Sequence, residues 1–425
     1  MLPKKFNSKA WVVAVDMGYG HQRTAYPLRS LSQAGQVINA NSYSGIAQSD
    51  WNTWQKAKGG YEFVSAFSRT PIIGPLVFGF FNRLQRILDF YPLRDLSKPN
   101  IQLRQTLAPI KKGWGRHLVE KLAKNPLPLV GTFFTIAFMA EEFKYPGEIY
   151  CVVCDTDISR TWAPVNPKKS KIKYFAPTPR VVERLKLYGV NPKNIFLTGY
   201  PLPQENIGTE KMEILKKDLK QRLVNLDPKR SYYGKYKDLI KARLGNLPKK
   251  SDHPLTIMFA VGGAGAQKRT GVLIARALSD RIKKKEIKLV LVAGIRKDVQ
   301  QYFKQETKGL PVEIIFAEDT KAYFRKFNAQ LRKTDILWTK PSELSFYSAL
   351  GVPIIIAPPI GSQEDFNKRW LVNSGFGTVQ KSLSSVDQWL FQWLDNGFLA
   401  EYAMQGFIEG EKMGTLNIMK KVCSG

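Results

Sequence analysis

The segment GYGHQRTA, residues 18–25, places two glycines and a histidine directly after the apolar run AWVVAV. Gly18 and Gly20 let a ligand approach the backbone closely, and a helix that begins here offers unpaired amide groups to an anion. His21 is a candidate base, because a neutral imidazole accepts a hydroxyl proton near pH 7; the alternative is that it only caps the turn. A dinucleotide site is not predicted, since the spacing is not GxGxxG and no acidic residue follows about 20 positions later to hold a ribose.

Asp155 is the second candidate base, because it follows the apolar run IYCVVC, which predicts a buried strand. A carboxylate at the end of such a strand faces the ligand-binding edge of a sheet, where it acts as a base or orients a histidine. Asp155 and Asp157 also have the Asp-x-Asp spacing of the metal site in single-domain glycosyltransferases. We expect no metal here, because the rest of the chain indicates two domains and Asp157 can instead cap the next turn.

A second glycine-rich turn lies in FAVGGAGAQKRTG, residues 259–271, again between an apolar run and a helical pattern. Gly262, Gly263 and Gly265 could bring backbone amides to a diphosphate, and Lys268 or Arg269 would add positive charge. The alternative is that these glycines only allow a strand and a helix to pack tightly.

The segment GSQEDFN, residues 361–367, is dense in hydrogen-bonding side chains and follows another apolar run. Gln363, Glu364 and Asn367 have the donors and acceptors that sugar hydroxyls require. Ordinary solvation of a loop would also account for them.

Strand-like apolar runs alternate with helix-length segments in both halves of the chain, which is the pattern of parallel sheets covered by helices. This pattern predicts two Rossmann-like, doubly wound α/β domains that face a cleft, with ligands bound at the carboxyl ends of the strands. The strand-like runs are 10–15, 36–40, 127–132, 148–154, 171–175 and 195–198, then 255–261, 289–293, 313–317, 336–338 and 353–357.

We place the first domain at residues 1–205 and the second at residues 253–385. Residues 206–252 between them are strongly basic, helical in pattern and interrupted by turn signals, so they are predicted as an insertion or linker. Residues 386–425 are predicted to be C-terminal helices that pack back on the first domain.

The chain carries 65 Lys and Arg against 35 Asp and Glu, a net charge of +30 that indicates an anionic partner. Nucleic acid is the weaker candidate, because no nucleic-acid-binding motif is recognised, and phospholipid headgroups or phosphorylated substrates remain. Only three cysteines are present, too few and too scattered for a disulfide framework, which fits the cytoplasm. No transmembrane segment is predicted, because polar residues and prolines interrupt the longest uncharged stretch.

The stretch PIIGPLVFGFFNRLQRILDFYP, residues 71–92, combines large apolar residues with arginines. Phe78 and Phe81 with Arg83 and Arg86 predict an interfacial helix that binds an acceptor or a membrane. Basic residues from 94 to 116 could hold anionic headgroups, each contributing about 1 kcal/mol near a charged leaflet. The alternative is an ordinary core helix.

Taken in order, these segments resemble family 28 glycosyltransferases. GYGHQRTA is similar to the family's glycine-rich histidine turn, Asp155 and Trp162 to its Thr-Asp and following Trp, and LTGYP to the end of its first domain. The resemblance implies the GT-B fold and an inverting transfer from a nucleotide-sugar, a UDP-sugar, to a lipid acceptor by a peripheral membrane protein. It implies no metal and no other cofactor. The likeness covers residues 10–40, 126–203 and 254–378.

The resemblance also implies roles for the candidate residues. His21 and Asp155 would be the base candidates, the glycines of residues 262–265 would lie near the diphosphate, and the polar side chains of 363–367 would lie near the sugar. One departure concerns the family's ribose-binding glutamate, whose place is taken by Phe346. Glu343, three residues earlier on the same helical face, is the candidate to replace it.

Two alternative functions stay open from the residues. A nucleotide-sugar epimerase shares the two-domain fold and needs no lipid, so epimerisation without an acceptor would favour it. A non-catalytic protein that binds membranes or other polyanions would account for the charge and for the missing glutamate. Steeply salt-dependent binding to polyanions would favour that alternative.

Overall fold

The chain forms two compact units in the computed structural model, which describes residues 9–67, 87–263, 265, 267–359 and 362–424. Unit 1 comprises Met1–Leu202, Ile360–Asn367 and Met413–Gly425, and unit 2 comprises Pro203–Pro359 and Lys368–Lys412. Each unit is built on one six-stranded sheet, and every strand pairing in both sheets is parallel.

The first sheet, in unit 1, is covered by helices that follow its strands. The strands are β1 (Trp11–Ala14), β2 (Ile38–Asn39), β3 (Leu129–Gly131), β4 (Ile149–Val152), β5 (Lys173–Ala176) and β6 (Ile195–Leu197). The helices are α1 (Tyr19–Ala25), α2 (Gln48–Phe67), α3 (Ile101–Lys111), α4 (Arg116–Ala123), α5 (Phe134–Glu142) and α6 (Pro179–Leu187). The order β2-β1-β3-β4-β5-β6 reverses direction between β1 and β3, which makes that point the ligand-binding crevice of a doubly wound sheet.

The second sheet, in unit 2, has the strand order of the dinucleotide-binding fold. Its strands are β7 (Leu255–Ala260), β8 (Ile287–Gly294), β9 (Glu313–Phe316), β10 (Ile336–Thr339), β11 (Ile354–Ile356) and β12 (Gly377–Val379). The order β12-β11-β10-β7-β8-β9 places the reversal between β7 and β10.

The remaining helices start with two that precede the second sheet. They are α7 (Glu213–Leu226), α8 (Ser231–Leu244), α9 (Lys268–Ala277), α10 (Ser279–Lys283), α11 (Lys297–Glu306), α12 (Thr320–Leu331), α13 (Ser362–Asn373), α14 (Val386–Asp395), α15 (Phe398–Glu409) and α16 (Gly414–Cys423). Several begin at side-chain caps that the sequence supplies: Asn100, Thr178 and Asp319 each accept a hydrogen bond from an amide in the first turn of α3, α6 or α12.

The predicted pair of Rossmann-like, doubly wound α/β domains is confirmed, with six parallel strands in each. Eleven of the strands fall within or next to the apolar runs that indicated them. The exception is β12, three residues at one edge of the second sheet, where only Gly377 is buried. So short and half-exposed a strand leaves no apolar run in the sequence, and its pairing with β11 is what defines it.

The segments around the predicted domain boundaries distribute between the units as follows. Residues 206–252, expected as an insertion or linker, form α7 and α8 within unit 2. Of the expected C-terminal helices, α14 and α15 belong to unit 2 and only α16 to unit 1. The reason is packing, because Ile418, Met419 and Val422 of α16 join the apolar core formed by β1, β3, β4 and β5.

Arg222 of α7 is fully buried and holds together the helix ends behind the second sheet. Its guanidinium donates to the carbonyl oxygens of Leu331 at the end of α12 and of Thr334, at 3.4 and 2.7 Å. It also donates to those of Leu350 and Gly351, at 3.0 and 3.2 Å, where a 3-10 helix ends. Carbonyls at helix ends lack partners within the helix and carry partial negative charge, so a buried cation stabilises them.

We therefore expect the substitution Arg222→Met to lower the free energy of unfolding by about 3 kcal/mol, because it leaves several buried carbonyls without a donor. Urea denaturation followed by tryptophan fluorescence measures this. Arg243→Met is the matched control, since Arg243 is exposed on α8, and it should change stability by less than about 0.5 kcal/mol. Equal effects of the two substitutions would contradict the role assigned to Arg222.

Candidate functional site

His21 lies at the switch point of the first sheet, in the first turn of α1 directly after β1. Its Nδ1 is 2.8 Å from the carbonyl oxygen of Thr132, the residue that follows β3. The hydroxyl of Thr132 in turn donates to the carbonyl oxygen of His21 at 2.9 Å, and the ring of Phe133 packs on the imidazole with centroids 4.5 Å apart. These contacts join the carboxyl ends of the two strands between which the strand order reverses.

The contact with Thr132 determines which nitrogen of His21 can act as a base. A carbonyl oxygen only accepts hydrogen bonds, so Nδ1 must carry the proton and donate it. A neutral imidazole then has its lone pair on Nε2. The Thr132 carbonyl therefore orients the His21 ring, a role that the sequence considerations gave to Asp155. Nothing in the local sequence around His21 indicates Thr132 as its partner.

Cys154 and Asp155 bring a thiol and a carboxylate to the same edge of the sheet, directly after β4. The Cys154 sulfur is 3.5 Å from His21 Nδ1 and 3.8 Å from Asp155 Oδ2. Cys151, within β4, is a core thiol as expected, and burial raises its pKa, so it stays protonated. His21 and Asp155, the two predicted bases, thus lie on either side of one buried sulfur.

Asn367, predicted near the sugar, is buried within unit 1. Its side-chain oxygen accepts hydrogen bonds from the backbone N–H and the hydroxyl of Thr156, at 3.1 and 2.8 Å, and its side-chain nitrogen lies 3.4 Å from Asp155 Oδ1. These bonds hold the Asp155 carboxylate and the residue that follows it, Thr156. Gln363 and Glu364 lie in the first turn of the same helix, α13, and are half-buried.

Asp157, the second acid of the Asp-x-Asp spacing, is engaged by arginines. Arg184 Nε and Nη2 reach its two carboxylate oxygens at 2.8 Å each, and Arg180 Nε reaches one of them at 3.1 Å. These ion pairs engage both carboxylate oxygens of Asp157 within unit 1. Across the described ranges, no group of three or more His, Cys, Asp or Glu side chains is arranged to hold a metal.

The glycine-rich turn of unit 2 follows β7 at the switch point of the second sheet. Lys340, which follows β10, lies so close to Gly262 that a Cβ there would be 2.6 Å from its Cε. Gly265 has φ of +67°, and a Cβ there would be 3.0 Å from Val299 and 3.8 Å from Arg296 Nε. The backbone conformation at Gly265 thus favours glycine, a side chain at Gly262 would require Lys340 to move, and two cationic side chains lie against the turn.

Lys340 and Arg296 were not among the residues predicted from the sequence, which placed the positive charge on Lys268 or Arg269. In the structure Lys268 lies 3.9 Å from Asp298 and over the ring of Tyr302. Arg296 also pairs with Asp298, at 2.9 Å. A signal for Lys340 was present, because it directly follows a strand that borders the switch point, but the strand order needed to recognise it comes only from the structure.

The 3-10 helix Glu343–Leu350 follows Lys340 and carries the residue that departs from the family pattern. Phe346 is buried and packs against Trp370, with ring centroids 5.3 Å apart. Glu343 opens the helix and is half-exposed. In a 3-10 helix, residues three apart lie on one face, so Glu343 occupies the same side as Phe346 but one turn nearer to the glycine-rich turn.

The other predicted residues lie at or outside the edges of these sites. Gly18 caps α1 with φ of +93°, Gly20 is in its first turn, and Gly263 is in the turn after β7. The predicted interfacial residues Phe78, Phe81, Arg83 and Arg86 lie outside the described residues. In the parts that the structure does describe, no helix is long and apolar enough to cross a membrane.

An exposed apolar segment nevertheless follows the predicted interfacial stretch. Leu88, Tyr91, Leu93 and Ile101 are 42, 70, 62 and 65% exposed, an unusual concentration of large apolar side chains on a surface. The exposed basic residues Arg94, Lys98 and Arg104 lie beside and after them in the chain. We refer to residues 88–97 as the apolar segment.

Comparison with known proteins shows weak homology to two bacterial enzymes. The processive diacylglycerol beta-glucosyltransferase of Bacillus pumilus is 23% identical over 261 residues, which are 60% of this chain and 57% of that protein. The protein of the same name from Bacillus subtilis is 22% identical over 297 residues, 68% of this chain and 67% of its own. The profile of a domain of unknown function, DUF6938, matches residues 240–326.

Solved structures are similar at low identity. The UDP-GlcNAc 2-epimerase from Neisseria meningitidis is 14% identical, with 83% of this chain and 89% of that chain covered and a TM-score of 0.44. The calicheamicin glycosyltransferase CalG4 is 13% identical, with 98% and 97% covered and a TM-score of 0.46. The resemblance to family 28 is confirmed through the two sequence relatives, and the chain is a divergent, weak homologue of the diacylglycerol glucosyltransferases.

Proposed function

We propose that this chain is an inverting glycosyltransferase that moves a hexose from a nucleotide-sugar to a lipid acceptor at a membrane surface. The observation that carries the proposal is the His21 imidazole, fixed by Thr132 at the switch point of unit 1 so that Nε2 is its basic nitrogen. The names of the two homologues, both diacylglycerol glucosyltransferases, support a hexose as the transferred group and a lipid as the acceptor.

In the proposed reaction, His21 Nε2 takes the proton of an acceptor hydroxyl while the hydroxyl oxygen attacks the anomeric carbon of the donor. The bond from that carbon to the diphosphate oxygen breaks, and the nucleoside diphosphate leaves with the electron pair. A single displacement of this kind inverts the configuration at the carbon. The Thr132 carbonyl stabilises the imidazolium that forms, and the nearby negative charge of Asp155 favours it further.

The glycine-rich turn of unit 2 is the proposed site of the donor diphosphate. Gly262 and Gly265 let the phosphates approach the backbone, and Lys340 and Arg296 lie against the turn with positive charge. Charge-assisted hydrogen bonds of this type contribute about 1.5–3 kcal/mol each, and they also stabilise the charge that develops on the leaving diphosphate. We propose no metal and no other cofactor.

The nucleotide of the donor is proposed to be uridine diphosphate, because the resemblance to the family implies a UDP-sugar. Phe346 is buried against Trp370 and cannot hydrogen-bond a ribose, so Glu343 is the proposed ribose ligand. Gln363 and Glu364 stay the proposed contacts of the sugar. For Asn367 a supporting role is favoured instead, because its side-chain oxygen already accepts from Thr156 and its side-chain nitrogen already donates to Asp155.

Membrane contact is proposed to occur through the apolar segment and its basic surroundings. Exposed leucine and tyrosine side chains insert favourably at the level of the headgroups, and Arg94 and Lys98 would bind anionic lipids. The protein would then be a peripheral membrane protein on the cytoplasmic side.

The proposed function is tested by incubating the full chain with UDP-, GDP- and dTDP-sugars in the presence of vesicles that contain diacylglycerol or bacterial lipid. Released nucleotide and glycosylated lipid are measured together, the second by mass spectrometry. Transfer from one class of donor is the expected result. Absence of donor binding across the whole panel, or epimerisation of the donor without an acceptor, would refute the proposal.

His21→Gln should lower kcat by a factor of about 10²–10⁴ without changing the affinity for the donor, because the variant loses the basic nitrogen but leaves unit 2 intact. Steady-state kinetics on the lipid acceptor measures both quantities. His117→Gln is the matched control, since His117 is exposed on α4 and its Nδ1 contacts the Tyr43 hydroxyl at 2.7 Å. Unchanged turnover in the His21 variant would exclude it as the base.

Lys340→Met should weaken donor binding by a factor of about 10–100, the equivalent of one lost charge-assisted hydrogen bond to a phosphate. Isothermal titration with UDP and with the accepted donor measures the change. Lys333→Met removes the same charge from an exposed position before β10, at the opposite end of that strand, and should leave the affinity as it is. If both variants bind the nucleotide equally well, the diphosphate lies elsewhere.

A further inference from the structure

The apolar segment is fastened to the rest of unit 1 at three points. The Leu96 N–H donates to the carbonyl oxygen of Leu187 at the end of α6, at 3.0 Å. The ring of Phe90 lies under the guanidinium groups of Arg180 and Arg184, 3.9 and 5.1 Å from the ring centroid. The carbonyl oxygen of Ser97 accepts from Arg160, at 2.6 and 3.1 Å.

Two of these three contacts are made by arginines that also bind, or belong to, the stretch that begins with Asp155. Arg180 and Arg184 are the residues that bind the Asp157 carboxylate, two positions after Asp155. Arg160 is five positions after Asp155 and, besides Ser97, binds the carbonyl oxygens of Ala163 and Pro164 at 2.6 and 2.9 Å. The exposed apolar side chains and the candidate base are therefore connected by a short series of hydrogen bonds and ion pairs within one unit.

Arg160 joins backbone segments, and its guanidinium also lies over the ring of Tyr188, 5.8 Å from the centroid. It is only 6% exposed, and in the described part of the chain it forms no ion pair with a carboxylate. All four of its hydrogen bonds go to carbonyl oxygens, on both the 95–98 and the 160–164 segments. A buried cation of this kind is costly unless several acceptors surround it, so the two segments are held at a fixed distance as long as the charge is present.

We propose that Arg160 is a positioning residue for the proposed transfer, one that makes the apolar segment and the 155–162 stretch a single piece, so that a bilayer which binds the first also holds Asp155 in place. This inference rests on the proposed function, because it requires that the apolar segment contacts lipid. It adds a residue that touches neither donor nor acceptor. Arg160 acts through its hydrogen bonds to the carbonyl oxygen of Ser97.

The test is amide hydrogen exchange of the full chain with and without saturating vesicles of phosphatidylcholine and phosphatidylglycerol. In the wild type, vesicles should slow exchange severalfold in peptides from residues 88–97 and also in those from residues 155–162. Arg160→Gln should keep the first effect and lose the second. Arg243→Gln is the matched control, because Arg243 is exposed on α8 of unit 2 and belongs to neither segment, and it should retain both effects.

Folding of the Arg160 variant is checked by its affinity for UDP, which should equal that of the wild type because the proposed donor site lies in unit 2. If the variant does not fold, Arg160→Lys serves instead, since it keeps the buried charge but lacks the planar guanidinium that bonds both segments at once. If the wild type binds vesicles but exchange in residues 155–162 does not slow, the inference is wrong while the proposed function stands. The same holds if exchange there still slows in the Arg160 variants. Failure of the wild type to bind vesicles would overturn the proposed membrane contact as well.

Discussion

Parallel pairing throughout both sheets is the constraint on which the sites depend, because it gathers every residue that follows a strand along one edge of its sheet. His21, Thr132 and Asp155 follow β1, β3 and β4, and Gly262 and Lys340 follow β7 and β10. Residues more than 100 positions apart in the chain thus become neighbours, as His21 and Thr132 do across 111 positions. Where the strand order reverses, the helices diverge, and His21, Asp155 and Lys340 are partly accessible there, so the topology determines which side chains can do chemistry.

The fold could be predicted from local signals, since buried parallel strands are continuous apolar runs and their alternation with helices defines the class. The predicted bases and glycines were found for the same reason, as each follows such a run directly. Thr132, Lys340, Arg296 and Arg160 were not found, because their contacts depend on strand order or on backbone carbonyls, which every residue has and no residue type reveals. Asn367 was assigned to the sugar from its type, whereas the structure places its amide against Thr156.

The excess of positive charge has a structural component that composition does not show. Arg160 and Arg222 are buried and bound mainly or wholly to carbonyl oxygens, and Arg184 is paired with Asp157 inside unit 1. Arginine suits this function because its planar group keeps its charge and offers several donors in fixed directions. Part of the net charge of +30 therefore serves helix ends and loop connections, and the part available to anionic ligands is smaller than the total.

The position of α16 has a consequence for the order in which the chain can fold. Thr415, at the start of this helix, donates to the carbonyl oxygen of Leu202 across 213 positions, and three apolar side chains farther along the helix complete the core of unit 1. A ribosome that has finished unit 1 up to Leu202 must therefore synthesise all of unit 2 before that core can close. During this time the apolar surface around β1 and β4 is uncovered, so it is a natural substrate for chaperones during synthesis.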